Sequence, residues 1–291
     1  MSLRALFATF VLAFSPPVLA GPGVAETAPV VRLTEGTVAT AGVSDLIEAM
    51  QIAPLLAVMR DEGLRSGEDI GNEMFPGRGG AAWSDQVSAI YDTDGMQAEI
   101  ASILSDRLTP EQIADLVAFY RTDLGRRVVT LELDARRAML SPSVVEASRE
   151  MLVGRQADSA PRLALIEDLV AVLDLVENNV TGALNANFAF YAALNDAGAF
   201  DAPRAQADML EEVWSEEPQI REESDAWVYS YLFMAYEPLS DTDIAEYIAF
   251  SASDAGQALN SALFAAFDTV FTDVSRQLGL AAARYMGGED L

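Results

Sequence analysis

The sequence contains no cysteine, no histidine and no lysine, so all 18 of its basic residues are arginine. Without cysteine no disulfide can form, and stability has to come from the hydrophobic core. The same absences exclude Ser–His and Cys–His nucleophile pairs, Schiff-base lysines and zinc sites built from histidine or cysteine. Any catalysis is therefore left to carboxylates, Ser, Thr, Tyr and Arg, or to a hard metal ion with oxygen ligands.

Positive charge and long apolar runs are also scarce. The net charge is −27, with 45 acidic residues. We interpret this charge first as a means of keeping the protein soluble, and second as a means of attracting cations. A field of this sign repels nucleic acid and anionic lipid surfaces, so we expect neither as a partner. The most apolar late stretch, 258–272, is interrupted by Asn260 and Asp268, so we expect no stable membrane insertion.

The first twenty residues have the pattern of a secretory signal peptide. Arg4 gives a positive start, 5–14 form an apolar stretch too short to span a bilayer, and Ala20 is a small residue at the junction. We therefore expect cleavage after Ala20 and export to the periplasm or the medium. Abundant alanine, with arginine wholly replacing lysine, is typical of a GC-rich bacterial genome, which favours the periplasm.

Apolar residues recur at three- and four-residue spacing, with few glycines and prolines between them, and this predicts an all-α multi-helix bundle. The predicted helices include 54–62, 67–75, 161–178, 180–196 and 254–286. The last is expected to bury one face against the rest of the molecule, through Leu259, Leu263, Phe267, Val270 and Val274.

Two segments of the chain, 108–128 and 239–259, are alike. Seven of their 21 aligned positions are identical without a gap, and each predicts a capped helix, a corner and a second helix. This similarity predicts an internal duplication rather than convergence on a common helix-corner pattern. The expected organisation is a signal peptide at 1–20, a flexible leader at 21–42, helical halves at 43–152 and 160–286, and a frayed tail at 287–291.

The first segment, "LTPEQIADLVAFYRTDLGRRV", resembles the signature of a bacterial family, domain of unknown function 2059, whose members are exported helical proteins. The resemblance rests on a leucine–threonine helix start, a Phe-Tyr pair and a Thr-x-x-Gly corner, here Leu108, Thr109, Phe119, Tyr120, Thr122 and Gly125. The second segment is degenerate, because Ser251 stands where the tyrosine is expected. The family implies no activity and no catalytic residue.

Three groups of residues are candidate sites. Tyr120 and Arg121 at the first corner could grip an anionic group of a partner, or Tyr120 could simply be core. Glu223, in an aromatic-rich helix, could be a general acid acting on cell-wall glycan, or part of a solvated helix face. In "DTDG" at 92–95, an EF-hand register would place Ile90 and Ala101 at ligand positions, so we interpret Asp94 as a helix cap.

The sequence thus favours a non-catalytic envelope protein that binds a protein partner, or a second copy of itself, through a helical groove. We expect no metal site and no cofactor. The alternative is a carboxylate-dependent enzyme acting on cell-wall glycan.

Overall fold

The structure is a computed structural model that describes residues 41–158 and 160–288. The predicted signal peptide, nearly all of the leader and the last three residues lie outside the described residues. Throughout the described ranges the regular structure is helical and no strand occurs, which confirms the all-α multi-helix bundle. No helix in these ranges is long and apolar enough to cross a membrane.

The helices, in chain order, are α1 (Val43–Ala49), α2 (Ile52–Met74), α3 (Gly80–Ile90), α4 (Thr93–Arg107), α5 (Pro110–Tyr120), α6 (Asp123–Ala138), α7 (Pro142–Asp158), α8 (Ala160–Val172), α9 (Leu175–Asp196), α10 (Gln206–Ser215), α11 (Glu217–Tyr236), α12 (Asp241–Ser251) and α13 (Asp254–Met286).

Helix α2 is continuous where two helices, 54–62 and 67–75, are predicted. The predicted break, 63–66, starts at Gly63 and ends just before Gly67, and both glycines are buried inside the helix. A Cβ at Gly63 would lie 2.1 Å from the Tyr91 ring, and one at Gly67 would lie 2.6 Å from Val87. These glycines therefore let residues at and near the end of α3 pack against the α2 backbone, and they do not end the helix.

The break before α9 is also displaced from its predicted place near residue 179. Helix α8 ends at Val172, and Asp174 turns the chain with a left-handed backbone (φ 44°) before α9 begins. Asp and Asn tolerate this conformation better than most residues. Asn179, at the predicted break, is instead a buried residue inside α9 whose side-chain amide donates to the Leu175 carbonyl at 2.6 Å.

Among the residues that the structure describes, the hydrophobic core has two clusters, and each draws on both predicted halves of the chain. The first cluster is built mainly from α1–α5 together with α9 and α13, and the second from α6, α7, α8, α11 and α12. Helix α6 packs against α11 of the later half, and α13 packs against α4 and α5 of the earlier half. The division between 152 and 160 therefore does not separate two cores.

Helix α13 buries the face predicted from its periodicity. Its five predicted contact residues are at most 5% exposed: Leu259, Leu263, Phe267, Val270 and Val274. Its main neighbour is α9, with α4 and α5 beside it. This long helix therefore connects the C-terminal end of the chain to the N-terminal part of the fold.

Candidate functional site

The first corner is formed by local hydrogen bonds that its sequence predicts. The Thr109 side chain accepts from the Gln112 backbone, and the Gln112 side chain accepts from the Thr109 N–H at 2.9 Å, which is a complete capping box. Thr122 caps α6 by accepting from the Gly125 N–H at 3.0 Å. Since these bonds satisfy backbone donors at both helix starts, they fix where α5 and α6 begin.

The second corner has the same local structure. Ser240 and Asp243 form a capping box at the start of α12, and Ser253 accepts from the Gly256 N–H at 3.2 Å at the start of α13. A Cβ at Gly125 would lie 2.3 Å from the Phe119 carbonyl oxygen, and one at Gly256 would lie 2.4 Å from that of Phe250. Both glycines thus allow the second helix to start directly against the backbone of the first.

The two corners meet through aromatic side chains. Phe119 and Phe250, which occupy the same position in their segments, stack with ring centroids 3.5 Å apart and an interplanar angle of 6°. Tyr120 packs edge-on against Phe250 at 5.7 Å, and Tyr247 lies 6.1 Å from Phe119. The two similar segments, 108–128 and 239–259, are therefore in contact through matching positions. Their common origin by duplication stays a prediction.

Next to this aromatic contact, the carboxyl group of Glu132 on α6 is surrounded by tyrosines. The Tyr236 hydroxyl donates to Glu132 Oε1, and the Tyr247 hydroxyl lies 3.5 Å from the same oxygen. Tyr231 donates to the backbone carbonyl of Glu132 at 3.0 Å. The Tyr120 hydroxyl lies within hydrogen-bonding reach of Tyr247 and completes the cluster.

Burial raises the pKa of Glu132 to about 7, although the hydrogen bonds from Tyr236 and Tyr247 act in the opposite direction. The residue as a whole is only partly buried, so the effect arises at the carboxyl group enclosed by the rings. The pKa values of Tyr236 and Tyr247 lie well above the ordinary value of tyrosine. Burial is the main cause, and the nearby charge of Glu132 is the second. Near neutral pH, Glu132 is therefore the member of the cluster that changes its protonation state.

One turn further along α6, Arg136 forms a second polar contact in the interior. This side chain is 3% exposed, and its Nε and Nη2 bind the two carboxylate oxygens of Glu62 on α2 at 3.1 and 2.6 Å. The guanidinium also lies over the Trp227 ring, 5.4 Å from its centroid. The two-pronged geometry and the aromatic face favour a fixed structural pair joining α2, α6 and α11.

The structure places Tyr120 and Arg121 in different environments. Tyr120 is 2% exposed and its hydroxyl belongs to the buried tyrosine cluster. Arg121 is exposed and binds Asp45 of α1 at 2.6 Å. The two side chains are therefore not brought together at a groove mouth, and their joint role in partner binding stays a prediction.

Glu223 lies on α11, where its carboxylate accepts from the Gln219 side chain one turn earlier at 2.9 Å. The carboxyl group with a strongly raised pKa is Glu132, which sequence reasoning missed. Its only signal in the sequence is an acidic residue between Leu131 and Leu133 in a helix, a pattern shared with many solvated positions. The enzymatic alternative stays a prediction.

The helix cap at "DTDG" belongs to a different residue from the one predicted. The side chain of Asp92, not of Asp94, caps α4 by accepting from the Asp94 N–H at 3.2 Å. Over the described residues, no group of three or more carboxylates is placed to hold a metal ion.

Surface clefts open between the described helices, and two of them differ in size and lining. The first, of about 250 Å³, lies between α9 and α13 with the end of α4 at its edge, and three phenylalanines and Arg107 are among its lining residues. The second, of about 760 Å³, runs between α1, α2 and α4 and is lined mainly by small and polar side chains such as Ala98, Ala101 and Ser102. The tyrosine cluster lines neither of them.

Helix α10 presents apolar side chains on two sides. Met209 and Val213 are buried against the body of the protein, whereas Leu210 and Trp214 are 36% and 60% exposed. Within the described ranges, these two are the large hydrophobic side chains left exposed. Because they are four positions apart, they lie on the same face of the helix.

Fold and site together define a class: an all-α protein built around two capped helix corners that meet face to face, with a tyrosine-enclosed carboxyl group beside the contact. Residues 94–151 match the family described as "Uncharacterized protein conserved in bacteria (DUF2059)", which confirms the resemblance predicted from the first segment. The match runs from α4 into α7, and the second segment lies outside it. Comparisons with curated proteins and with solved structures found no significant match.

Proposed function

We propose that the protein is a non-catalytic binding protein of the bacterial envelope, exported with removal of its first twenty residues. The observation that carries this proposal is the exposed pair Leu210 and Trp214 on α10. A large, rigid aromatic side chain beside an aliphatic one is typical of the residues that dominate protein–protein binding energy. The surface that we propose for binding is therefore the one on α10.

The charges around this pair favour a basic partner. Glu212 and Glu217 are neutralised by ion pairs with Arg204 and Arg221. Asp208, Glu211 and Glu216 have no cationic partner among the described residues. Complementary charge speeds association and selects the partner, so the ligand should be a polypeptide segment with apolar side chains and a positive charge.

A second copy of the chain fits this surface poorly. In a two-fold dimer the same patch meets itself, so the unpaired carboxylate of Glu211, three positions before Trp214 on the helix, would approach its own equivalent. Like charges brought together in this way oppose binding. The partner is therefore a different protein.

Affinity capture from a periplasmic extract tests the proposal. The wild-type protein should retain a basic polypeptide that is released by about 0.5 M salt, because screening weakens exposed charge pairs. Trp214→Ala should weaken binding of that polypeptide by about 2 kcal/mol, roughly thirtyfold. Since Trp214 is largely exposed, the variant should keep the wild-type melting temperature.

Paired charge variants provide the control. Glu211→Gln with Glu216→Gln should reduce capture, whereas Glu146→Gln with Glu150→Gln removes the same charge from exposed positions of α7 and should not. Equal capture by the Trp214 variant would contradict the proposal. So would a self-association of the wild type that disappears in that variant.

A further inference from the structure

We propose that the cleft between α9 and α13 binds a small organic carboxylate with an apolar body. This site is separate from the protein-binding surface on α10. Its floor is formed by Phe264, Phe267 and Phe271, which lie three and four positions apart along α13 and so share one face. A cleft of about 250 Å³ exceeds the roughly 150 Å³ of an engineered cavity that holds benzene.

No packing contact explains why the opposite wall of the cleft carries a glycine. Gly182 lies in the middle of α9 and lines the cleft, and a Cβ built there would have no atom within 4 Å. Glycine in a helix interior lowers stability relative to alanine. Glycines 125 and 256 are required by close backbone contact, but Gly182 faces open space. Its missing side chain keeps the cleft wide enough for a ligand.

The charge available to a ligand is that of Arg107. This exposed side chain, at the C-terminal end of α4, lines the cleft and forms no ion pair with the described residues, in a chain of net charge −27. The carboxylate of Asp268 also lines the cleft and accepts from the Asn185 side chain at 2.9 Å, so a bound carboxylate has to lie at the Arg107 end of the cleft. An unpaired guanidinium beside aromatic rings is suited to a ligand that carries a carboxylate on an apolar group.

A pair of ligands that differ only in charge tests this inference. Octanoate and 1-octanol are titrated into the full mature protein and followed by ligand-observed NMR. Octanoate should bind, and Arg107→Gln should weaken its binding about twofold to fivefold, the usual contribution of an exposed ion pair. Binding of 1-octanol should change little in the same variant. Arg149→Gln, which removes the same charge from an exposed position of α7, should leave both ligands unaffected.

A variant whose side chain fills the cleft provides a second test of ligand binding. Gly182→Leu places a side chain in open space, so the variant should melt at or above the wild-type temperature and bind neither ligand. Unchanged octanoate binding in Gly182→Leu would show that the ligand binds elsewhere, and equal binding in Arg107→Gln would exclude recognition of the carboxylate. Absence of octanoate binding to the wild type at millimolar concentration would also overturn the inference.

Discussion

Replacing Gly125 by alanine should destabilise the protein, although alanine is the better helix former. The added Cβ would lie 2.3 Å from the Phe119 carbonyl oxygen and 2.7 Å from the Cα of Tyr120. Both atoms belong to the backbone at the end of α5, so no side-chain rotation can make room for it. The corner itself would have to open.

The expected magnitude follows from two opposing effects. Forcing an extra carbon into a well-packed site typically lowers the stability by about 1–3 kcal/mol. The higher helix propensity of alanine raises it by roughly 1 kcal/mol. Opening the corner also threatens the hydrogen bond from the Gly125 N–H to Thr122, now 3.0 Å long. We therefore expect a net loss of about 1–2 kcal/mol, which lowers the melting temperature of a chain of this size by roughly 2–8 °C.

A matched set of three glycine variants makes the measurement decisive. Gly256→Ala should behave like Gly125→Ala, because its Cβ would lie 2.4 Å from the Phe250 carbonyl oxygen. Gly182→Ala should instead raise the melting temperature by about 2–4 °C, since it gains helix propensity and meets no atom within 4 Å. Calorimetry on the mature protein gives all three values. A melting temperature of Gly125→Ala at or above that of the wild type would refute the packing argument.

Two further predictions concern the interior of the fold. Because the pKa of Glu132 is raised to about 7 in the folded protein, from an ordinary value of 4.5, its ionisation destabilises the fold as pH rises from about 4.5 through 7. Glu132→Gln should therefore gain up to roughly 3 kcal/mol over the wild type at pH 8 and little at pH 4, measured by urea unfolding at both pH values. Arg136→Met should lose about 1–3 kcal/mol in the same assay, because the partly exposed Glu62 loses two charge-assisted hydrogen bonds, and Glu62→Leu in the same chain should restore most of the loss. An equal effect of Glu132→Gln at both pH values, or no recovery in the double variant, would contradict these predictions.

The sequence by itself determined the features that depend on neighbouring residues. The all-α class, the capped helix that starts after Thr109, and the corner at Thr122 all follow from spacings of a few positions, and each appears in the structure as predicted. Local hydrogen bonds and helical periodicity act within one or two turns. They can therefore be predicted without knowing what the helix packs against.

Helix ends without such local signals were decided by tertiary contacts. Gly63 and Gly67 suggest a break in α2, yet Tyr91 and Val87 pack directly over them and the helix continues. A glycine weakens a helix by only about 1 kcal/mol, and packing of aromatic and aliphatic side chains against it is able to outweigh that amount.

The candidate sites depend wholly on tertiary structure. Glu132 and the Tyr236 hydroxyl are 104 positions apart in the chain, and Arg136 and Glu62 are 74 apart, so no local pattern relates them. Gly125 and Gly182 are both glycines within predicted helices, and their spacing in the sequence does not distinguish them. Only the fold places a carbonyl oxygen against the first and an open cleft before the second, because the position of a neighbouring helix is set by the packing of the whole core.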